Sequence, residues 1–443
     1  MAALNHLSLG DRGQRIGLRL ITKVGSLSVL GNPDVRRTVE SLLYRGSKGA
    51  FGALEAASRR PFPSRAGRGD PARTAAAQPR REFDLTPSED QELIRSAAAR
   101  LADDVIRPAA ARADAERSVP EAVRRAATEL GLPLIGVPSA LGGVADERSA
   151  VTAALVIEEL ARGDLGIATA LLAPAAVATA LANYGSSTQQ ATYLPAFTSE
   201  SAPARASLAL MEQGPLFDPL LPTTTAATHG SDLVINGAKS LVVGAAGADL
   251  LIISALVDGS PRLVLVEAGT RGVTVVDDPA MGIRAACTGR VALDDVVVPV
   301  ANLLGTTGDH LDAVRRARLA WSAAACGTAQ AVLDQLIPYV TTREAFGEPI
   351  AHRQAVAFTV ADIAIELAGL RLVVWRAASR LDQGSDAARL IGNARQFTAT
   401  HAAQIGSHAV QLLGGHGFVK EFHNERWYRD LRGTGVLEGV LLV

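Results

Sequence analysis

A chain of 443 residues, 48% of them apolar, is long enough for two or three domains around a sizeable core. Its formal net charge of −1 excludes a general nucleic-acid binder and a strongly cationic membrane protein. Cys287 and Cys326 stand far apart with no C-x-x-C and no Cys/His cluster, which excludes a disulfide framework and a zinc site and points to a reducing, cytoplasmic setting.

The near-neutral total hides an asymmetry. Up to Arg81 there are fifteen Lys/Arg against five Asp/Glu, so the remainder is acidic. Residues 1–82 read as a basic extension: Ile16, Leu20, Val24 and Leu27, then Val35, Val39, Leu42 and Leu43, recur at helical spacing. The Pro/Gly/Arg-rich run from Arg59 to Pro71 that follows reads as a linker. Asp11, Asp34 and Glu40 argue against a transit peptide, and no apolar leader with a small-residue cleavage site follows Met1.

An N-terminal α domain is expected over 83–203. Thr86-Pro87-Ser88-Glu89 supplies an N-cap, a first-turn proline and a capping-box glutamate, predicting a helix from there toward Arg107. The uncharged run Leu165 to Gly185 is long enough to ask about a membrane span, but its alanines, Pro174, Thr169 and Thr179 predict a buried helix instead. A middle β domain is expected over 204–301: Asp232-Leu-Val-Ile-Asn-Gly reads as a hairpin signal, and two apolar runs flank Asp258-Gly259. Over 302–443 three long helical stretches are expected, broken near Pro338 and around Gln383-Gly384, with a glycine-rich turn at 414–417.

The chemistry-bearing candidates are late in the chain. Glu438 lies between Val436-Leu437 and Val440-Leu441-Leu442, a setting that raises a carboxylate's pKa if buried and suits a base that removes a weakly acidic C–H. Composition alone favours a solvated side chain at a frayed end. Gly414-Gly415-His416-Gly417 either brings backbone amides to an anionic group or caps a helix. It is not G-x-G-x-x-G after a strand, so no Rossmann site is indicated. His416 lacks a second ligand at metal spacing and reads as structural. Arg343, with Phe346-Gly347, offers a planar fork for phosphate or a surface ion pair.

Taken in order, these segments resemble the acyl-CoA dehydrogenase family over about four fifths of the chain. The resemblance is carried by Gly131-Leu-Pro-Leu-Ile-Gly-Val-Pro, Glu158-Glu159-Leu-Ala-Arg, Tyr184-Gly, Ile235-Asn-Gly-Ala-Lys, Met281-Gly-Ile-Arg, Arg343-Glu-Ala-Phe-Gly-Glu-Pro-Ile and Gln411-Leu-Leu-Gly-Gly-His-Gly-Phe with Arg429-Asp430 and Glu438-Gly439. It implies an α+β multidomain fold: an N-terminal helical domain, a middle β-barrel-like domain and a C-terminal four-helix bundle. It also implies FAD, shared between subunits of a homodimer or homotetramer, with Arg343, Phe346, Gln354, Gln411, Gly414 and Gly415 contacting the neighbour's cofactor.

The implied reaction is α,β-dehydrogenation of an acyl-CoA, as in fatty-acid β-oxidation, with electrons passed to an electron-transfer flavoprotein. Glu438 would take the α proton and Arg318 and Gly439 would serve the substrate. Some members carry the base one position before an arginine matching Arg318, where this chain has Ala317. The family's Thr-Glu-Pro stands here as Met211-Glu212-Gln213, and its Trp-Ile-Thr/Ser as Leu241-Val242-Val243. Those departures imply an alternative: a weakly catalytic or non-catalytic subunit of a heteromeric, α2β2 assembly that completes a partner's FAD site.

Overall fold

The structure is a computed structural model that describes residues 86–144, 148–199, 202–214 and 217–443. The expected basic extension, its two helices and its linker lie outside the described residues.

The first helix, α1 (Glu89–Leu101), starts two residues later than the sequence suggests. Ser88, not Thr86, is the N-cap, because its hydroxyl accepts from Gln91 N while the Gln91 side chain returns to Ser88 N. The helix also runs past Arg107. A π segment, Ala102–Ile106, leads into α2 (Arg107–Glu116), with Arg107 N–H reaching Ala102 O. That widened turn lies directly before Pro108, whose ring and missing N–H disfavour a regular α turn. The helical layer continues with α3 (Glu121–Glu129), α4 (Ala150–Gly163), α5 (Leu165–Tyr184) and α6 (Ser187–Tyr193). Helix α5, although long and apolar enough to cross a membrane, is enclosed by protein along nearly its whole length.

Strands β1 (Ala206–Ala209), β2 (Thr225–His229), β3 (Asp232–Val243), β4 (Leu250–Val257), β5 (Ser260–Glu267), β6 (Val273–Asp277), β7 (Thr288–Pro299) and β8 (Leu303–Leu304) form one sheet. Its order is β6-β7-β3-β2-β4-β5-β8, with β1 parallel to β4 beside β2. Asp258-Gly259 makes the expected hairpin, both residues at positive φ and Val257 paired with Ser260. Asn236-Gly237 does not. It lies inside β3 as a bulge against β7, and the reversal from β2 falls at Gly230-Ser231, where the strand ends leave only two residues to turn.

Strand β4 is apolar on both faces because both are covered. Leu250 and Ile252 join Leu208, Leu210, Leu263 and Leu265 against α5 and the start of the next helix, while Leu251 and Ile253 face a separate core with Val264, Val266 and Leu233.

Helix α7 (Thr307–Thr342) then runs through Pro338 without breaking. Losing one ladder bond near its end costs about 3 kcal/mol. Burial of Trp321, Val332, Leu333, Leu336 and Val340 along the same helix outweighs that cost. A short hairpin of β9 (Glu344–Ala345) and β10 (Glu348–Pro349) leads to α8 (Gln354–Asp382), α9 (Ala388–Leu413) and α10 (Asn424–Thr434). The break between α8 and α9 falls at Gln383-Gly384 as expected. One apolar core joins these helices to α1, α2, α4 and α5.

Candidate functional site

The loop that carries Glu438 begins where α10 ends, and α10 is anchored by ions. Asp430 is buried and its Oδ1 accepts from Ile283 N at 2.6 Å; Arg426 Nε donates to Asp164, the N-cap of α5, at 2.8 Å. Arg429 reaches both oxygens of Asp114 on α2. Burial first, and then the nearby Asp164 carboxylate, push Asp430 up to about 7.

From that anchor the chain enters the interior. Trp321 Nε1 on α7 donates to Gly439 O at 2.9 Å, and Val440 N donates to Leu208 O on β1 at 3.0 Å. Gly439 has φ +73°, and a Cβ there would fall 2.8 Å from Leu208 O. The close approach and the left-handed backbone both require glycine. Val440, Leu441, Leu442 and Val443 are all buried.

Glu438 is therefore not a frayed surface residue: it is 6% exposed. Arg318 Nε lies 3.0 Å from its Oε1 and 3.1 Å from its Oε2, with Arg318 Nη2 also 3.0 Å from Oε1. Arg395 Nη2 adds a third donor to Oε1 at 3.1 Å. Burial raises the Glu438 pKa, and the two guanidinium groups, Arg395 before Arg318, oppose that rise without cancelling it. The site thus pairs one carboxylate with two cations. Ala317, the other place for a base, is buried in the core.

The structure brings Glu438, Arg318 and Gly439 together, and gathers a second group elsewhere. Arg343, Gln411, Gly414 and Gly415 line a shallow depression of about 350 Å³ with Tyr339, Ile350 and His416. Phe346 and Gln354 lie outside its lining. Phe346, in the β9–β10 hairpin, is 96% exposed with the Arg353 guanidinium 5.7 Å from its ring centroid; Gln354 opens α8 and is exposed. Gly414 closes α9 at φ 57°, ψ −131°, a backbone only glycine adopts freely, and among the described residues nothing beyond its chain neighbours lies within 4 Å of the space its side chain would take. His416 is structural: Tyr339 Oη is 2.9 Å from its Nδ1 and Phe422 stacks on its ring.

Sequence reasoning missed Arg395. It follows Ala394 beside the buried stripe Ile391, Ala394, Thr398 and Ala402 of α9, and an arginine at the margin of such a stripe is the one signal that was there. In the β domain, Ser240 Oγ and Leu241 N both donate to Asp278, so the only hydroxyl in that stretch is already used.

Three acyl-CoA dehydrogenase family models match in order: the N-terminal domain over residues 88–201, the middle domain over 207–296 and the C-terminal domain over 310–441. The chain belongs to the acyl-CoA dehydrogenase family. It is 31% identical over 368 residues to the mitochondrial short-chain specific acyl-CoA dehydrogenase of Rattus norvegicus, covering 79% of this chain and 87% of that one. Its identity to cyclohex-1-ene-1-carbonyl-CoA dehydrogenase of Geobacter metallireducens is 32%, covering 80% and 95%. A solved structure described as PigA with FAD and proline superposes with a TM-score of 0.74 at 25% identity, covering 80% of this chain and 95% of that one.

Proposed function

We propose that the protein is an FAD-dependent acyl-CoA dehydrogenase in which Glu438 removes the α proton of an acyl thioester. The observation that carries this reading is the burial of Glu438 between Arg318 and Arg395, a desolvated carboxylate with one oxygen less encumbered than the other. A flavin, when bound, would supply the acceptor for the β hydride. The chain supplies the rest: Glu438 holds the proton taken at Oε2, Gly439 lets the loop lie against β1, and the net positive charge of the two arginines favours negative charge developing on the thioester. Residues 83–203, 204–301 and 302–443 act as the three working parts.

Arg343, Phe346, Gln354, Gln411, Gly414 and Gly415 serve the FAD of a neighbouring subunit. Support for that division comes from α7, which carries Arg318 and is capped at its far end by Arg343. The intervening helix spans about 37 Å at ~1.5 Å per residue, so the two groups belong to different sites. Gly414, open on its outer side, fits close approach by a phosphate from another chain. The oligomer is accordingly a homodimer or homotetramer, and the acceptor an electron-transfer flavoprotein. The unpaired Cys287 and Cys326 support a cytoplasmic setting. The reading as a subunit that merely completes a partner's FAD site is not favoured by these relatives.

The purified protein should show a flavin spectrum that bleaches on mixing with one of a panel of straight-chain, branched or alicyclic acyl-CoAs. Bound flavin with no bleaching by any of them would sink the proposal.

A further inference from the structure

We infer that Arg395 is the positioning residue of the Glu438 site, locking Oε1 to the turn so that Oε2 stays the less engaged carboxylate oxygen, and keeping the group ionised. The inference rests on the reading of Glu438 as the base.

Three bonds from one guanidinium carry it. Arg395 Nη1 donates to Thr434 O at 2.7 Å, and its Nη2 donates to Leu437 O at 2.8 Å and to Glu438 Oε1 at 3.1 Å. The first two hold the backbone on either side of the turn that leaves α10. The third acts on the carboxylate itself. Oε1 is engaged by both arginines, whereas Oε2 receives only Arg318 Nε, so Oε2 is the edge left to accept a proton.

Arg318 already favours Oε1, with Nε and Nη2 both 3.0 Å from it against Nε alone at 3.1 Å from Oε2, and Arg395 adds a second cation to that same oxygen while tying it to the turn. The Arg395 side chain is 13% exposed, and among the described residues Glu438 is the acid that pairs with it. Arg318 from α7 and Arg395 from α9 are the charged groups that face Glu438 among the described residues. Burial lowers the Arg395 pKa, yet a guanidinium remains protonated throughout the working range. An ammonium would keep the charge but cannot span two carbonyls and a carboxylate as a planar fork does.

The test compares the flavin-loaded wild type with R395K, R395Q and R395M. The Glu438 carboxylate is titrated by infrared difference spectroscopy of protein labelled with ¹³C-glutamate, with E438Q assigning the band. Removing a cation this close should raise the midpoint by about 1 to 3 pH units in R395Q and R395M, and R395K should stay near the wild type. With butyryl-CoA as probe, the acid limb of kcat should move with the midpoint, and R395K should lose kcat without that displacement. An unmoved midpoint in whichever of R395Q and R395M remains folded by circular dichroism overturns the inference, whatever the turnover. A midpoint that moves while neither butyryl-CoA nor any other acyl-CoA is oxidised upholds the electrostatic role of Arg395 and instead removes the dehydrogenase reading.

Discussion

Replacing Gly439 by alanine measures how rigidly the base is held. A Cβ at this position would fall 2.8 Å from Leu208 O and 3.0 Å from Leu210 Cβ and Cγ. The carbonyl belongs to β1 backbone and is also the acceptor for Val440 N, so the strand cannot yield without losing that bond and the loop must retreat. Left-handed backbone costs a non-glycine residue about 1 to 2 kcal/mol. Loss of the Val440–Leu208 hydrogen bond adds about 1 kcal/mol, giving a total of about 2 to 3 kcal/mol. Because Arg318 and Arg395 still grip the carboxylate, the variant should fold and bind substrate, but with the base displaced by something near 1 Å the rate should drop about 100-fold. Urea unfolding followed by far-UV circular dichroism measures the first quantity, and stopped-flow reduction of the flavin by acyl-CoA the second. A G439A protein within about 0.5 kcal/mol of the wild type, reducing its flavin at the wild-type rate, would refute the argument that the β1 contact sets the position of Glu438.

Further outcomes follow from three buried ionisable sites, Glu438, the Lys239–Glu212 pair and Asp430. Glu438→Gln should lower α,β-dehydrogenation by about 10²- to 10⁴-fold while leaving the flavin spectrum in place. Since burial raises the pKa of Glu438 above its ordinary 4.5, the wild-type rate should fall with decreasing pH at a midpoint above 4.5. Lys239→Met takes the paired cation from the buried Glu212 carboxylate, whose Oε1 is 2.6 Å from Lys239 Nζ, leaving it the hydroxyls and amides of Thr223 and Thr224, and should cost about 3 kcal/mol in chemical denaturation. Glu212 is held down to about 2, so its stabilisation is present above its ordinary 4.5 and lost as pH falls through about 2; the stability difference between the wild type and K239M should therefore shrink as pH falls through that window. Asp430 has the opposite sign: raised to about 7, it binds its proton more tightly folded than unfolded, so its contribution declines as pH rises from about 4 to 7. The stability of the wild type relative to D430N should fall across that window, and a flat difference would contradict a buried, protonated Asp430.

Much of the helical and strand content was legible in sequence, because periodicity and turn chemistry are local. The stretch Leu165–Tyr184 was recognisable as a core helix from its alanines and threonines, and Asp258-Gly259 as a hairpin turn from the backbone it prefers. Local signals failed where two structures share them. Asn236-Gly237 suits a bulge as well as a hairpin, and a proline four residues from the end of a well-buried helix is tolerated. Thr86 and Ser88 are equally good caps, and only the reciprocal bond with Gln91 chose between them.

The sequence by itself determined that a glutamate in apolar company follows an arginine-aspartate pair, and that a glycine turn and an arginine lie upstream; that much needs only neighbours along the chain. Tertiary structure decided what Glu438 is. Its flanking apolar residues allowed either exposure or burial until β1 and Trp321 enclosed them. The two arginines that set its charge come from 120 and 43 residues away, a distance over which composition and periodicity carry no information about contact.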